Sequence, residues 1–353
     1  MAAAPLRVGI IGAGGIARDA NVPAYQALGD EVELVAVADV VRANAERLAA
    51  QTGCRGVYES YEEMLAHERL DLVSVCTPNK YHAPAAIAAL EAGVAVGCVK
   101  PPAMTAAEAR AMAAAARRSG KVYTVLFPSR CSPDVRAAKR FADDGGLGEV
   151  YSGRVLAQRR RGIPAWGVFT SRELQGGGPL IDIGVHGLDA ALWVMGFPEP
   201  KAVMGVTHTK LGNQPPGPAP WGAWDYGRYT VEDVCNALVT FKDGASLMVE
   251  TSFILNSEKM EEHSQCLYGT RAGVRLSPFA VFREEHGTLV NASAAWQPKV
   301  NSYNEVVANF VRAVQGKEAP LCTPEQAVAV QTIIEGIYRS AELGRSVDLE
   351  TEV

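Results

Sequence analysis

Within Gly176-Gly177-Gly178-Pro179-Leu180-Ile181-Asp182-Ile183-Gly184-Val185-His186 stand the residue types that move protons. A glycine run lets backbone approach a ligand closely. The apolar segment Ala190-Ala191-Leu192-Trp193-Val194-Met195 beyond it reads as a buried helix. On a helix, residues four apart share a face, so Asp182 and His186 are expected to project together. A carboxylate beside an imidazole, whose ordinary pKa is about 6.5, suits taking a proton from a hydroxyl or returning one to a carbonyl. The same residues also fit a plain helix start capped by Asp182, so the pair must be read with what lies upstream. There, Lys100 precedes Pro101 at a strand end. Alone it is a solvated charge, but beside a reacting oxygen an ammonium offsets developing negative charge.

The elements that must position these residues begin with Leu6-Arg7-Val8-Gly9-Ile10-Ile11, a nearly continuous apolar run of the kind buried on both faces of a parallel sheet. It enters Gly12-Ala13-Gly14-Gly15-Ile16-Ala17 and then a helical stretch to about Leu28. This fits the dinucleotide fingerprint: Gly12 for the tight turn, Gly14 for close approach of a pyrophosphate, Ala17 for helix–strand packing. The strand Val32–Ala38 ends at Asp39, 22 residues beyond Ala17, where an acid accepts hydrogen bonds from the adenosine ribose hydroxyls. A turn-forming aspartate is the plainer reading. Nearby Arg42 is able to meet a 2′-phosphate, so NAD is preferred with NADP not excluded.

Strands then alternate with helices. After Gly56–Tyr58 come Asp71–Cys76, Val94–Cys98 and Val122–Leu126, separated by helical patterns, which predicts a doubly wound parallel sheet over residues 1–128. Thr77-Pro78-Asn79-Lys80-Tyr81-His82 follows the fourth strand at the carboxyl edge, where such sheets bind ligands. The candidate cofactor contacts are Gly12, Gly14, Gly15, Ile16, Asp39, Thr77, Pro78, Asn79, His82 and Lys100, with His82 shaping the pocket. Beyond Pro128 the texture changes to longer strands with short connections: Val150–Gln158, Ala202–Thr209, Val234–Phe241, Ala245–Phe253, Gln265–Gly269 and Val274–Leu276. This predicts an α+β domain over 129–353, with an open-faced, mostly antiparallel sheet and the Asp182/His186 helix on one face. Helices are read over Tyr303–Val314 and Pro324–Leu343, and the C-terminal helix is a candidate to pack back on the first domain.

Composition narrows the partners. At 353 residues, 48% hydrophobic and 21% charged, the chain is an ordinary globular protein long enough for two domains. A net charge of −5 argues against nucleic acid or an anionic membrane surface. Seven cysteines scattered without a C-x-x-C predict free thiols in a reducing compartment. The histidines show no metal-ligand spacing, and no metal is expected. No signal peptide or membrane span is read, so the chain is expected to be soluble and cytoplasmic.

The dinucleotide fold, the Lys-Pro after its fifth strand and the D-x-x-x-H of a glycine-opened helix, in this order, resemble the glucose–fructose oxidoreductase / inositol dehydrogenase (Gfo/Idh/MocA) family over essentially the whole chain. The resemblance implies a nicotinamide-dependent oxidoreductase acting on a secondary alcohol of a sugar, glycoside or cyclitol. It puts the catalytic lysine on Lys100 and the catalytic pair on Asp182 and His186. It also implies a homodimer or homotetramer through the open sheet. One departure stands out: the family's usual Glu-Lys-Pro is Val99-Lys100-Pro101 here. Losing the glutamate removes a partner that would hold the ammonium charged and oriented.

Further substrate candidates follow the first strand of the second domain. Gln158, Arg159 and Arg161 form a lip suited to sugar oxygens or an anionic group, Trp166 offers a ring to stack on a sugar face, and Lys100, Asp182 and His186 complete the set. Arg159 and Arg161 are expected to share one strand face. Trp221-Gly222-Ala223-Trp224-Asp225-Tyr226 reads equally as a flap or an oligomer contact. Two other functions remain open to the sequence: a redox-neutral enzyme that oxidises a sugar transiently to permit elimination, and a cofactor-binding regulator without turnover.

Overall fold

The computed structural model describes residues 4–353. The chain divides into two compact units. One runs to Cys131 and takes up Asn301–Val328, and the other comprises Ser132–Val300 and Ala329–Val353.

The first unit is built on β1 (Leu6–Ile11), β2 (Val32–Ala38), β3 (Gly56–Tyr58), β4 (Leu72–Val75), β5 (Ala95–Val99) and β6 (Tyr123–Leu126), all parallel, in the order β3-β2-β1-β4-β5-β6. The order reverses between β1 and β4, the place where doubly wound sheets bind ligands. Every residue of β4, β5 and β6 is buried, which is why these strands read as apolar runs without alternation. Helix boundaries follow local chemistry. Ala106–Ser119 opens with a reciprocal Thr105/Glu108 capping box and closes at Gly120 with φ +66°. The helix Ser302–Val314 returns to this unit, and Phe310 packs so closely on Gly97 of β5 that a methyl there would lie 2.7 Å from its ring. The stretch after the glycine loop, read as one helix, instead begins as a π-helical turn over Ala17–Asn21 before Val22–Gln26.

The second unit carries a nine-stranded sheet. Its strands are β7 (Val150–Arg159), β8 (Pro200–His208), β9 (Val234–Phe241), β10 (Ser246–Ser252), β11 (Glu261–Gly269), β12 (Gly273–Arg275), β13 (Ala280–Glu285), β14 (Thr288–Ser293) and β15 (Val347–Asp348). They lie in the order β14-β13-β12-β11-β7-β10-β9-β8-β15. All pairs are antiparallel except β7 with β10. The helix Val185–Met195 covers one face, and two glycines set its distance: a methyl at Gly187 would stand 2.7 Å from Val155, and one at Gly184 2.6 Å from Thr251. On the opposite face, Met204, Val206, Leu238 and Met248 are each about two-fifths exposed. Cross-strand register puts Leu238 against both Met204 and Met248, so these side chains form one patch.

Candidate active site

In the first unit, β1 runs straight into the glycine loop. Gly12 has φ +92°, and a Cβ on it would lie 2.8 Å from the Cys76 carbonyl, so only glycine makes this turn. A Cβ on Gly14 would meet nothing within 4 Å, and one on Gly15 nothing nearer than the Asp19 carboxylate at 3.8 Å. The loop thus presents backbone to open space. Asp39 stiffens it: one carboxylate oxygen accepts the Ala13 N–H and the other the Val41 N–H, both at 2.8 Å. Arg42, weighed as a 2′-phosphate ligand, instead pairs with Glu46 at 2.8 Å and Glu59 at 3.8 Å.

Across the switch point, the buried Thr77 hydroxyl finds no hydrogen-bond partner among the described residues. A buried donor–acceptor without a partner costs free energy, and a ligand's polar group supplies the missing bond. The open glycine cradle and this orphaned hydroxyl together fit a dinucleotide. His82 lies fully buried behind them, its Nδ1 2.9 Å from the Pro101 carbonyl oxygen and its Nε2 2.9 Å from that of Thr77. It therefore braces two loops, the one with Thr77 and the one with Lys100. Burial foremost, with the Lys100 charge adding, holds its pKa down to about 4 against the pull of the two carbonyls. Lys100 itself is half-buried at the end of β5, after the buried Val99 and before a cis bond to Pro101.

In the second unit, the glycine run serves the protein before any ligand. A side chain on Gly177 would strike the Tyr338 hydroxyl, and one on Gly178 would lie 2.6 Å from the Glu232 carbonyl oxygen. The buried Glu232 carboxylate accepts the Gly178 N–H at 2.8 Å, the Leu180 N–H at 3.2 Å and the Tyr338 hydroxyl at 2.9 Å. These donors partly offset the burial that pushes its pKa up. The expectation that these glycines exist for close approach of a ligand is corrected accordingly.

The pinned loop leads into a π-helical turn, Leu180–Gly184, and only then into the α-helix Val185–Met195. Asp182 lies in the π-turn and His186 in the first α-turn, so the simple four-residue spacing of an α-helix does not describe them. Such turns are over-represented at functional sites because they re-aim side chains. Both residues are half-buried.

Beneath this helix, strand register sets the floor. Arg159 of β7 and Glu261 of β11 are direct partners, and His263 pairs with Ala157 on the same face. Arg159 lies beside Asp182 and Glu261, whose charges oppose the burial that lowers its pKa. His263 is held neutral-leaning by burial and by the Arg159 charge. The Arg159 guanidinium sits 4.2 Å over the Trp221 ring, and Trp221 stacks on Trp166 at 5.9 Å.

The other lip residues go elsewhere. Gln158 pairs with Ser252 and Glu262 and so alternates to the face away from the Asp182 helix. Arg161, expected on Arg159's face, spends its guanidinium on the carbonyls of Arg160 and Leu255 and on Asn256. Glu232, Tyr338, Glu261 and His263 were not anticipated. Strand β11 begins four residues earlier than the Gln265 start read from the sequence, because the polar Glu261-Glu262-His263-Ser264 shows no apolar alternation.

A parallel sheet with a ligand-ready switch point, and a sheet-and-helix unit in which Arg159 lies beside Asp182 and His186 opens the following helix, define a dinucleotide-dependent oxidoreductase. Comparison agrees: residues 6–127 match the oxidoreductase family's NAD-binding Rossmann fold, and residues 139–349 its C-terminal α/β domain. The chain belongs to the Gfo/Idh/MocA oxidoreductase family. It is 39% identical to a D-glucoside 3-dehydrogenase of Escherichia coli K12 over 99% of each chain. It is 29% identical to a D-xylose 1-dehydrogenase (NADP(+)) of Haloferax volcanii, covering 97% of this chain and 99% of the other. An aldose-aldose oxidoreductase of Caulobacter crescentus, solved with glycerol, superposes with a TM-score of 0.79 at 27% identity, over 98% and 99% of the two chains.

Proposed function

We propose that this protein is an NAD-dependent dehydrogenase that oxidises a secondary ring hydroxyl of a sugar or glycoside, with the 3-hydroxyl of a D-glucoside foremost. The observation that carries the reading is the half-buried Asp182 in a pinned π-turn with Arg159 beside it, and the half-buried His186 in the first turn of the helix that follows. It lies within a chain similar, end to end, to a glucoside 3-dehydrogenase.

In this reading the Gly14–Gly15 backbone cradles the pyrophosphate, Asp39 accepts from the ribose hydroxyls, and the Thr77 hydroxyl completes its bonding against the cofactor. Asp39 favours NAD, while Arg42, held only by surface pairs to Glu46 and Glu59, leaves NADP open. Bound nicotinamide supplies the acceptor for the hydride leaving carbon. His186 takes the hydroxyl proton as general base. Lys100 offsets the negative charge that develops on that oxygen. Asp182, with Arg159 beside it, accepts from a neighbouring sugar hydroxyl and fixes the ring. His263, largely neutral, offers a further hydrogen bond on the same floor.

The exposed patch of Met204, Val206, Leu238 and Met248 supports self-association through the open sheet as a dimer or a dimer of dimers. All cysteines are free thiols, which suits a reducing cytoplasm, and no helix of the described residues is long and apolar enough to cross a membrane.

The test is to incubate the purified chain with NAD and a panel of methyl glycosides. Accumulation of NADH with a keto-glycoside product supports the dehydrogenase. A converted substrate without net NADH would mark transient oxidation instead, and NAD binding without any conversion would sink the catalytic reading.

A further inference from the structure

A cavity of about 510 Å³ opens within the second unit beside Trp166, with neither Asp182 nor His186 in its lining. Its size falls within the range of small-molecule sites. Trp166, Thr170, Glu173, Trp224, Asp225 and Arg228 supply its chemistry.

The walls are tied in place. The Thr170 carbonyl oxygen accepts both the N–H and the hydroxyl of Thr230, at 3.0 and 3.2 Å. The Thr230 hydroxyl in turn accepts the Arg172 N–H at 2.9 Å. Trp224 is buried and donates its indole N–H to the Gly212 carbonyl at 2.6 Å. Trp166 is different: it packs edge-on against Phe169 and face-on against Trp221, yet stays 56% exposed.

The lining selects a ligand class. Two carboxylates against one guanidinium repel an anion, and the polar rim does not reward an apolar guest. An exposed indole beside carboxylates and hydroxyls suits a neutral, polyhydroxylated ring: C–H groups lie on the indole face while hydroxyls donate to the carboxylates. Trp166 also connects the cavity to the proposed chemistry, through Trp221 at 5.9 Å and then Arg159 at 4.2 Å, which lies beside Asp182.

We infer that this cavity is a subsite for the second sugar ring of a disaccharide whose first ring is oxidised at Asp182 and His186. The inference rests on the glycoside reading proposed above and names which glycosides are favoured. A bare methyl glycoside leaves the subsite empty, whereas a glucosyl disaccharide fills it.

Two measurements test this on the full chain. In steady-state kinetics with NAD, the wild type should show kcat/KM for a glucosyl disaccharide about tenfold above that for the methyl glucoside. Glu173→Gln combined with Asp225→Asn should bring the ratio towards one, mainly through KM, since the amides weaken both hydrogen bonds and one charged hydrogen bond alone is worth about tenfold. If that variant does not fold, Arg228→Ala serves the same comparison. A wild-type ratio of one, or a ratio unmoved by substitution, overturns the subsite.

Equilibrium titration of intrinsic tryptophan fluorescence with the same disaccharide separates this failure from failure of the catalytic reading. Saturable quenching that weakens in the variant supports the subsite even if no glycoside is turned over. Absence of quenching in the wild type overturns it even if methyl glucoside is oxidised.

Discussion

The buried carboxylate of Glu232 holds the backbone N–H of Gly178 at 2.8 Å, across 54 residues of sequence. Through this bond, and a second to Leu180, one side chain fixes the start of the turn that carries Asp182. Glu232→Ala strands two backbone donors and the Tyr338 hydroxyl, and should cost about 3 kcal/mol or more of unfolding free energy. Glu232→Gln keeps one acceptor oxygen but turns an NH₂ towards donors. It should fold, retain NAD affinity, and lose turnover of the sugar about tenfold; unchanged turnover would show that the turn is held by other means.

The proposed catalytic set makes a separable prediction. His186→Ala should bind NAD normally and lose turnover by ~100-fold or more, the usual share of a general base. Lys100→Met should also slow turnover, and Asp182→Asn should raise KM as well as lower kcat. Wild-type rates in both His186→Ala and Lys100→Met would remove the assignment.

Cofactor choice is checked by calorimetric titration with NAD and NADP. The wild type should bind NAD more tightly. Asp39→Ala should narrow the preference and also weaken NAD, because the loop loses its bond from Ala13. Equal affinities in the wild type would take Asp39 out of ribose recognition.

His82 gives the fold a pH dependence of defined sign. Its folded pKa of about 4 lies below the ordinary 6.5, so the folded state favours the neutral ring. That stability is fully present above pH 6.5 and is lost as the pH falls towards 4, by up to about 3 kcal/mol at roughly 1.4 kcal/mol per unit. Melting temperature against pH should fall across this window, and more shallowly in His82→Gln. Parallel curves would place the acid sensitivity elsewhere.

For assembly, sedimentation of the wild type at micromolar concentration should show a dimer or larger species. Leu238→Glu, between Met204 and Met248 in the exposed patch, should shift it towards monomer.

What was legible in the sequence was what local chemistry determines. Gly12, Gly14 and Asp39 lie within one βαβ unit, and Lys100 ends a strand of plain apolar character, so short stretches sufficed to place them. The contacts that organise the second unit are long-range. Glu232 meets Tyr338 106 residues away, and Arg159 meets Glu261 only through strand pairing. The hairpin of β13 and β14 escaped notice because β14 is largely exposed and carries no apolar period. Its turn also uses His286 at φ +52° before Gly287, where an asparagine or aspartate would have been the recognisable signal. The π-turn at Asp182 has no sequence signature separable from an α-helix.

The return of Asn301–Val328 to the first unit has a consequence for how the protein is made. Val306, Val307, Phe310 and Val311 belong to the same core as Val8, Ile10 and Leu72. A nascent chain that has emerged only as far as Cys131 holds every strand of the nucleotide sheet yet lacks one wall of its core. The cofactor-binding unit is therefore completed only after the second unit's main strands have left the ribosome. A chain stopped before Phe310 would leave the Gly97 surface of the nucleotide sheet uncovered.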